Sequence, residues 1–214
     1  MQDFIDQLRE LENLKKGLDA QLLMAPYRKE HLRNNKWLIP DNPKIAAVQI
    51  LLYTKQESIY FPLMKRTEYN GPHSGQISLP GGKQEEFDLN LEETAKRETE
   101  EELGINRKSM NSLFSLSDLF IPPSNFMVTP YLSYINESPI FSPDDNEVHE
   151  ILEVPLSDLM DNKLVKSKKI KHSSSIIVDT PYFELQNQIV WGATAMILSE
   201  FKQLLLNTEL YRNV

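Results

Sequence analysis

The chain has 214 residues, 40% of them hydrophobic and 25% charged, with a formal net charge of −8. That composition suits one globular domain with additions, and its acidic balance argues against nucleic acid as a partner. No apolar run is long enough to span a membrane and the N-terminus does not read as a secretory signal. The absence of cysteine excludes disulfides, thiolate catalysis and thiolate-bound zinc and fits a cytoplasmic protein.

Residues 1–35 read as helical, because Phe4, Ile5, Leu8, Leu11 and Leu14 recur at spacings of three and four with charges between them. Pro26 limits that helix or its successor, and Pro40 and Pro43 mark a connector. The expected organisation is an N-terminal helical arm over 1–40, which covers the core or forms a homodimer interface, and a domain over 41–214. Lys44–Tyr53 is apolar enough for a buried strand. Ser58–Arg66 is a second strand, with Pro62 placing part of it at an edge or bulge. Asn70-Gly71-Pro72 is a turn, Gln76–Leu79 a short strand, and Pro80-Gly81-Gly82 opens a loop. A helix follows from about Asn90 to Leu103, with Asn90 as N-cap, Glu93 as its capping-box partner and Gly104 just past its end. Further strands are expected at 113–120, 126–136, 148–154 and 176–184, and a final helix from Thr194 to Leu210. Strands and helices interleave without a regular βαβ rhythm, which predicts a mixed sheet flanked by helices.

Acid is concentrated in one place. Residues 85–102 hold nine of the 31 carboxylates: Glu85, Glu86, Asp88, Glu92, Glu93, Glu98, Glu100, Glu101 and Glu102. The bland reading of such a run is a solvated face. The spacing argues for more. Glu98, Glu101 and Glu102 are i, i+3 and i+4 neighbours on one face of the expected helix, where like charges disfavour the helix by a few tenths of a kcal/mol per pair. The later ones also sit near the C-terminus, where the helix dipole disfavours anions. A hard divalent cation removes that conflict, and magnesium takes oxygen ligands while sharing its shell with substrate phosphates. The adjoining loop brings further backbone donors, and five of the seven glycines (Gly71, Gly75, Gly81, Gly82, Gly104) fall in this stretch. Arg97 is expected to pair with an upstream acid such as Asp88.

The stretch Gly82…Arg97-Glu98-x-x-Glu101-Glu102-x-Gly104-Ile105 resembles the Nudix box, G-x5-E-x7-R-E-U-x-E-E-x-G-U with U apolar. It departs at Thr99, which stands at a U position, and at Asp88, which replaces the first glutamate one residue further from Arg97. That longer spacing is similar to the Nudix hydrolases that cleave coenzyme A and its thioesters. Their upstream pattern, L-L-T-x-R-S-x3-R-x3-G-x3-F-P-G-G, is matched at Leu63, Arg66, Gly75, Pro80, Gly81 and Gly82 and departs at Pro62, Met64, Thr67, Gly71 and Leu79. Segments at Asn125–Pro130, Glu153–Leu156 and Trp191–Ala195 also look like that subgroup.

The resemblance implies an α/β fold, an α/β/α sandwich around a mixed sheet, with Mg²⁺ or Mn²⁺ as cofactor. It carries metal ligation to Glu98, Glu101 and Glu102, with the carbonyl of Gly81 or Gly82. The implied reaction is attack of water at phosphorus in coenzyme A or acyl-coenzyme A. The products are adenosine 3′,5′-bisphosphate and a 4′-phosphopantetheine; the alternatives are another nucleoside diphosphate derivative, such as ADP-ribose, a dinucleotide or a nucleoside triphosphate, and a Nudix-fold sensor without catalysis. Candidate bases are Glu98 and a carboxylate of the 143–150 stretch, Glu147 or Glu150, each of which also reads as a surface acid. Arg66 is a candidate phosphate contact or else a solvated strand-end charge. His73 reads better as structural than as a site residue. Lys163, Lys166, Lys168, Lys169 and Lys171 suit a solvated loop or strand better than a grip on an extra phosphate, and Trp191 suits the core better than a base platform.

Overall fold

The computed structural model describes residues 1–14, 17–26, 39–68, 74–171, 177–209 and 211. The turn expected at Asn70-Gly71-Pro72, His73, parts of the helical arm (15–16 and 27–38), residue 176 and Leu210 lie outside them.

Two layers of helix enclose a mixed sheet. Helix α1 (Gln2–Glu10) and the short α2 (Gly17–Gln21) come first. The strands are β1 (Lys44–Lys55), β2 (Ser58–Arg66), β3 (Ile77–Ser78) and β4 (Gly81–Lys83), followed by helix α3 (Leu91–Leu103). Then come β5 (Asn111–Ser115), β6 (Leu119–Ile121), β7 (Phe126–Tyr134) and β8 (Val148–Pro155). A short α4 (Leu156–Met160) leads to β9 (Val165–Lys171), β10 (Ile177–Leu185), β11 (Gln188–Val190) and α5 (Gly192–Leu205). The large sheet runs β3-β2-β1-β7-β5, with β4 on β1, β6 on β7 and β8 on β2; β11-β10-β9 form a separate sheet. Within the large sheet β1 and β7 are parallel, so its hand is mixed.

Alternation along β1 divides the core. Ala46, Ile50 and Leu52 point to a cluster with Phe4, Leu8, Phe201 and Leu204 of α1 and α5. Leu51 and Tyr53 point the other way, to Leu103 of α3 and to Ile105, Met110 and Val148. This is the expected sandwich. The described part of the arm covers the core: Phe4, Ile5, Leu8 and Leu11 are buried. The buried Glu200 of α5 clamps it by accepting from the Gly17 N–H at 3.1 Å, Gln21 Nε2 at 2.9 Å and Ser117 Oγ at 2.7 Å.

Several elements differ from expectation. The strand expected at 113–120 is two strands, β5 and β6, each pairing with a different stretch of β7. Strand β9 went unread because Lys166, Ser167, Lys168 and Lys169 are all exposed, so no period of two marks it. The stretch Gly81–Lys83, expected as loop, is a short strand against Ala46–Val48. Pro62 is tolerated because β1 and β2 pair only through Tyr53–Lys55 and Ser58–Tyr60 and have parted before it. No helix among the described residues is long and apolar enough to cross a membrane.

Candidate active site

Helix α3 is placed by its ends. The Asn90 side chain accepts from the Glu93 N–H at 2.9 Å, and Gly104, at φ +72°, gives its N–H to the Glu100 carbonyl at 2.9 Å. Thr99, where the box pattern wants an apolar residue, is buried and turns its hydroxyl back to the Ala95 carbonyl at 2.7 Å. The unmatched hydroxyl is thereby satisfied inside the helix.

Arg97 is 4% exposed and makes contact in five directions. Its Nε and Nη2 hold the two Asp88 oxygens, each at 2.9 Å, and Nη2 also reaches the Lys83 carbonyl at 3.1 Å. Its Nη1 donates to Glu98 Oε1 and Glu101 Oε2, both at 2.8 Å. The shorter Asp88 and the longer spacing therefore still deliver a bidentate carboxylate to Arg97. Hydrogen bonding from Arg97 holds the Asp88 carboxyl down, to about 2, with the Glu85 N–H and Thr94 hydroxyl acting the same way against burial. The pairing with Asp88 pushes the Arg97 guanidinium further above its ordinary value.

Glu102 is 1% exposed, one turn past Glu98. Its Oε2 accepts the Gly81 N–H at 2.7 Å, while Oε1 is buried with no hydrogen-bond partner among the described residues and stands 3.6 Å from Arg66 Nη1. Burial pushes its carboxyl up to about 8; Glu98 and Glu147 add to the rise, against the Gly81 N–H and Arg66. Glu98 is raised too, first by burial and then by Glu101 and Glu147, with Arg97 opposing. The glycines are required for this approach. A Cβ on Gly81, at φ +145°, would stand 2.3 Å from the Ala47 carbonyl oxygen, and one on Gly82 would stand 2.5 Å from Glu98 Oε2.

The two downstream candidates separate. Glu147 acts electrostatically on both Glu98 and Glu102, so it belongs to the same cluster. Glu150 is not brought there. It is in register with Lys65, whose neighbours Met64 and Arg66 face α3, so pleating turns Lys65 and Glu150 to the other face. The Lys83 carbonyl, which holds Arg97, and the buried Ser78 hydroxyl, which has no partner among the described residues and shares the face of Met64 beside Arg66, lie here too. A lone serine and a main-chain oxygen leave no signal in composition or spacing.

Five carboxylates (Asp88, Glu98, Glu101, Glu102, Glu147) thus meet two guanidiniums, Arg66 and Arg97. As they stand, no three acidic or histidine side chains among the described residues are gathered as a metal site. Arg97 draws one oxygen of Glu98 and one of Glu101 to itself, and the Glu101 side chain is 55% exposed. The donor chemistry nevertheless fits a hard cation: all oxygen, more anion than cation, and a buried Glu102 oxygen without a donor. A cavity of about 600 Å³ beside Gly104–Asn111 and Ile135–Ile140 includes none of the candidate residues.

Comparison with known proteins points the same way. Residues 43–173 match the model of the NUDIX domain family. A protein of Yersinia enterocolitica named as an uncharacterized Nudix hydrolase, NudL, is 30% identical over 163 residues, 76% of this chain and 82% of its own length. The NudL of Yersinia pestis is 32% identical over 158 residues, 74% of this chain and 78% of its own. The fold is that of a MutT/nudix family protein from Enterococcus faecalis, with TM-score 0.51, 16% identity and 92% of this chain and 77% of that one covered. It is also that of a MutT protein from Methanosarcina mazei, with TM-score 0.50, 17% identity and 79% and 99% covered. With the family model spanning well over half of the chain and the box residues gathered on one loop and helix, the chain belongs to the Nudix family.

Proposed function

We propose that this Nudix hydrolase cleaves the diphosphate linkage of coenzyme A or acyl-coenzyme A in the cytoplasm, releasing adenosine 3′,5′-bisphosphate and a 4′-phosphopantetheine. The observation that carries the site assignment is the buried Glu102 oxygen, without a hydrogen-bond partner among the described residues and 3.6 Å from Arg66. Glu98, Glu101, Glu102 and the Gly82 carbonyl would hold Mg²⁺ or Mn²⁺. When bound, such a cation neutralises charge on the diphosphate oxygens and makes water more acidic.

The chain's own residues do the rest. Arg97 sets the rotamers of Glu98 and Glu101 from a site fixed by Asp88. The Gly81 N–H orients Glu102. Arg66 contacts a substrate phosphate, and Glu147 takes the proton of the attacking water, with Glu98 as the rival base. Support for coenzyme A over ADP-ribose or a dinucleotide is the upstream pattern at Leu63, Arg66, Gly75 and Pro80–Gly82.

A substrate panel with Mg²⁺ and with Mn²⁺ tests this, comparing coenzyme A, acyl-coenzyme A, ADP-ribose, diadenosine polyphosphates and nucleoside triphosphates. Coenzyme A or its thioesters are expected to give the highest kcat/KM. Faster turnover of ADP-ribose or a dinucleotide would replace the substrate while keeping the site. Near-normal turnover by Glu98→Gln at saturating metal would remove Glu98 from both roles.

A further inference from the structure

Glu147 is carried by a segment that packing does not fix. Two aromatic and aliphatic anchors hold its ends: Phe141, edge-on to the Tyr53 ring with centroids 6.0 Å apart, and the buried Val148. Residues 142–147 between them are all exposed. Apolar burial therefore contributes little to their position, and hydrogen bonds must set it.

Those bonds tie the segment to both sides of the acidic site. At the end of α3 the Ser142 N–H donates to the Leu103 carbonyl at 2.9 Å and the Asp144 N–H to the Glu102 carbonyl at 3.2 Å. Both are carbonyls that a helix leaves without a partner of its own. The approach is so close that a Cβ on Gly104 would stand 2.5 Å from the Ser142 carbonyl oxygen. The segment then turns on Asp144. Its carbonyl accepts the Glu147 and Val148 N–H groups at 3.0 and 2.8 Å, and its side chain accepts the Asn146 N–H at 2.9 Å.

The far side is fastened to the end of β2, one residue past Arg66. There the Thr67 hydroxyl donates to the Asn146 carbonyl at 2.8 Å and the Thr67 N–H to the Glu147 carbonyl at 3.0 Å. Those carbonyls belong to the peptide units immediately before and after Glu147. Holding both fixes the direction in which the Glu147 side chain leaves the backbone, and β-branching restricts the rotamer of the residue that holds them.

We propose that Thr67 is a positioning residue for Glu147, its hydroxyl gripping the preceding peptide so that the carboxylate is aimed at Glu98 and Glu102. The proposal rests on the reading of Glu147 as the group that takes the proton of the attacking water. It makes Arg66, Glu102 and Glu147 parts of one main-chain frame that closes through Thr67.

Thr67→Val keeps the shape of the side chain and removes the donor, whereas Thr67→Ser keeps the donor. With the best diphosphate substrate and saturating Mg²⁺, Thr67→Val is expected to lower kcat about tenfold and to leave KM within about twofold of wild type, as for a group misplaced only toward the transition state. Thr67→Ser should retain the wild-type kcat. In a Glu147→Gln background Thr67→Val should cost nothing further, because the two act through one carboxylate. In the metal-free chain, hydrogen exchange at the Glu147 and Val148 amides should quicken in Thr67→Val and not in Thr67→Ser. Unchanged exchange in Thr67→Val would overturn the proposal, and so would the same loss of kcat with and without Glu147. Full kcat in Thr67→Val beside an inactive Glu147→Gln would overturn it as well. Near-normal kcat in Glu147→Gln would sink the base reading instead, and the exchange rates would still decide whether Thr67 holds the segment.

Discussion

Asp88→Asn isolates the pairing on which the acidic cluster depends. The substitution keeps the shape of the side chain and removes the charge that Arg97 Nε and Nη2 grip at 2.9 Å. The Asp88 side chain is only 2% exposed, so solvent screening is small. Its carboxyl lies at about 2 in the folded chain against an ordinary 3.8. At about 1.4 kcal/mol for each tenfold change in proton affinity, that difference stabilises the folded state by about 2 kcal/mol. The sign follows from a depressed value. The contribution is complete above the ordinary 3.8 and is lost as pH falls through about 2, with about half remaining near pH 3. Urea unfolding of wild type and Asp88→Asn at pH 7 should therefore differ by about 2 kcal/mol, and by about 1 kcal/mol near pH 3. A difference below about 0.5 kcal/mol at pH 7, or one that does not shrink in acid, would refute the reasoning. Turnover should fall as well, because Glu98 and Glu101 would lose a fixed partner.

The paired glycines should behave differently. Gly82→Ala is expected to fold, since its Cβ meets the movable end of Glu98, yet to lose about a hundredfold in kcat/KM; Gly81→Ala meets the fixed Ala47 carbonyl and should lower Tm by several degrees. Normal activity in Gly82→Ala would contradict the placement of Glu98. Glu102 is raised to about 8, so its cost to the metal-free fold grows as pH rises from the ordinary 4.5 toward 8. Metal-free Glu102→Gln should then be more stable than wild type at pH 8, on the order of 2 kcal/mol, and nearly equal at pH 4, by denaturant titration. Lys202 is buried over the Phe183 ring at 5.7 Å with no hydrogen-bond partner for Nζ among the described residues, and burial lowers its pKa, opposed by Asp161. Lys202→Met should stabilise by about 1–3 kcal/mol at neutral pH, and the gain should shrink as pH rises toward the ordinary 10.5; a loss of stability would show that the cation is a net asset there.

Much of the fold was legible because it rests on local chemistry. The Asn90 side chain caps α3 at its start and the missing Cβ of Gly104 lets it end in a left-handed turn, and β1, β7 and β8 carry the apolar content that a buried strand requires. The strands that escaped reading lack that content. Lys166, Ser167, Lys168 and Lys169 of β9 are all exposed, and β4 is three residues whose identity as strand comes from Ala46–Val48 across the sheet. The hairpin turns Gln56-Glu57 and Gln186-Asn187 adopt positive φ without a glycine to announce it, because the strands on either side impose the twist.

Within the cluster, helical spacing alone put Glu98, Glu101 and Glu102 on one face, and the charge of Arg97 implied an acid such as Asp88 to receive it. Spacing could not rank the three glutamates. Glu102 is sealed against the Gly81 N–H while Glu101 is half in water, a difference made by how α3 lies on β4. Nor could it separate Glu147 from Glu150, since that depends on the pairing of β8 with β2 and the bulge beside Arg66. Residue type and periodicity act over a few neighbours in the chain and are written in its order. Burial, register and the meeting of Arg66 with Glu102 join residues far apart in that order, and only the packed sheet decides them.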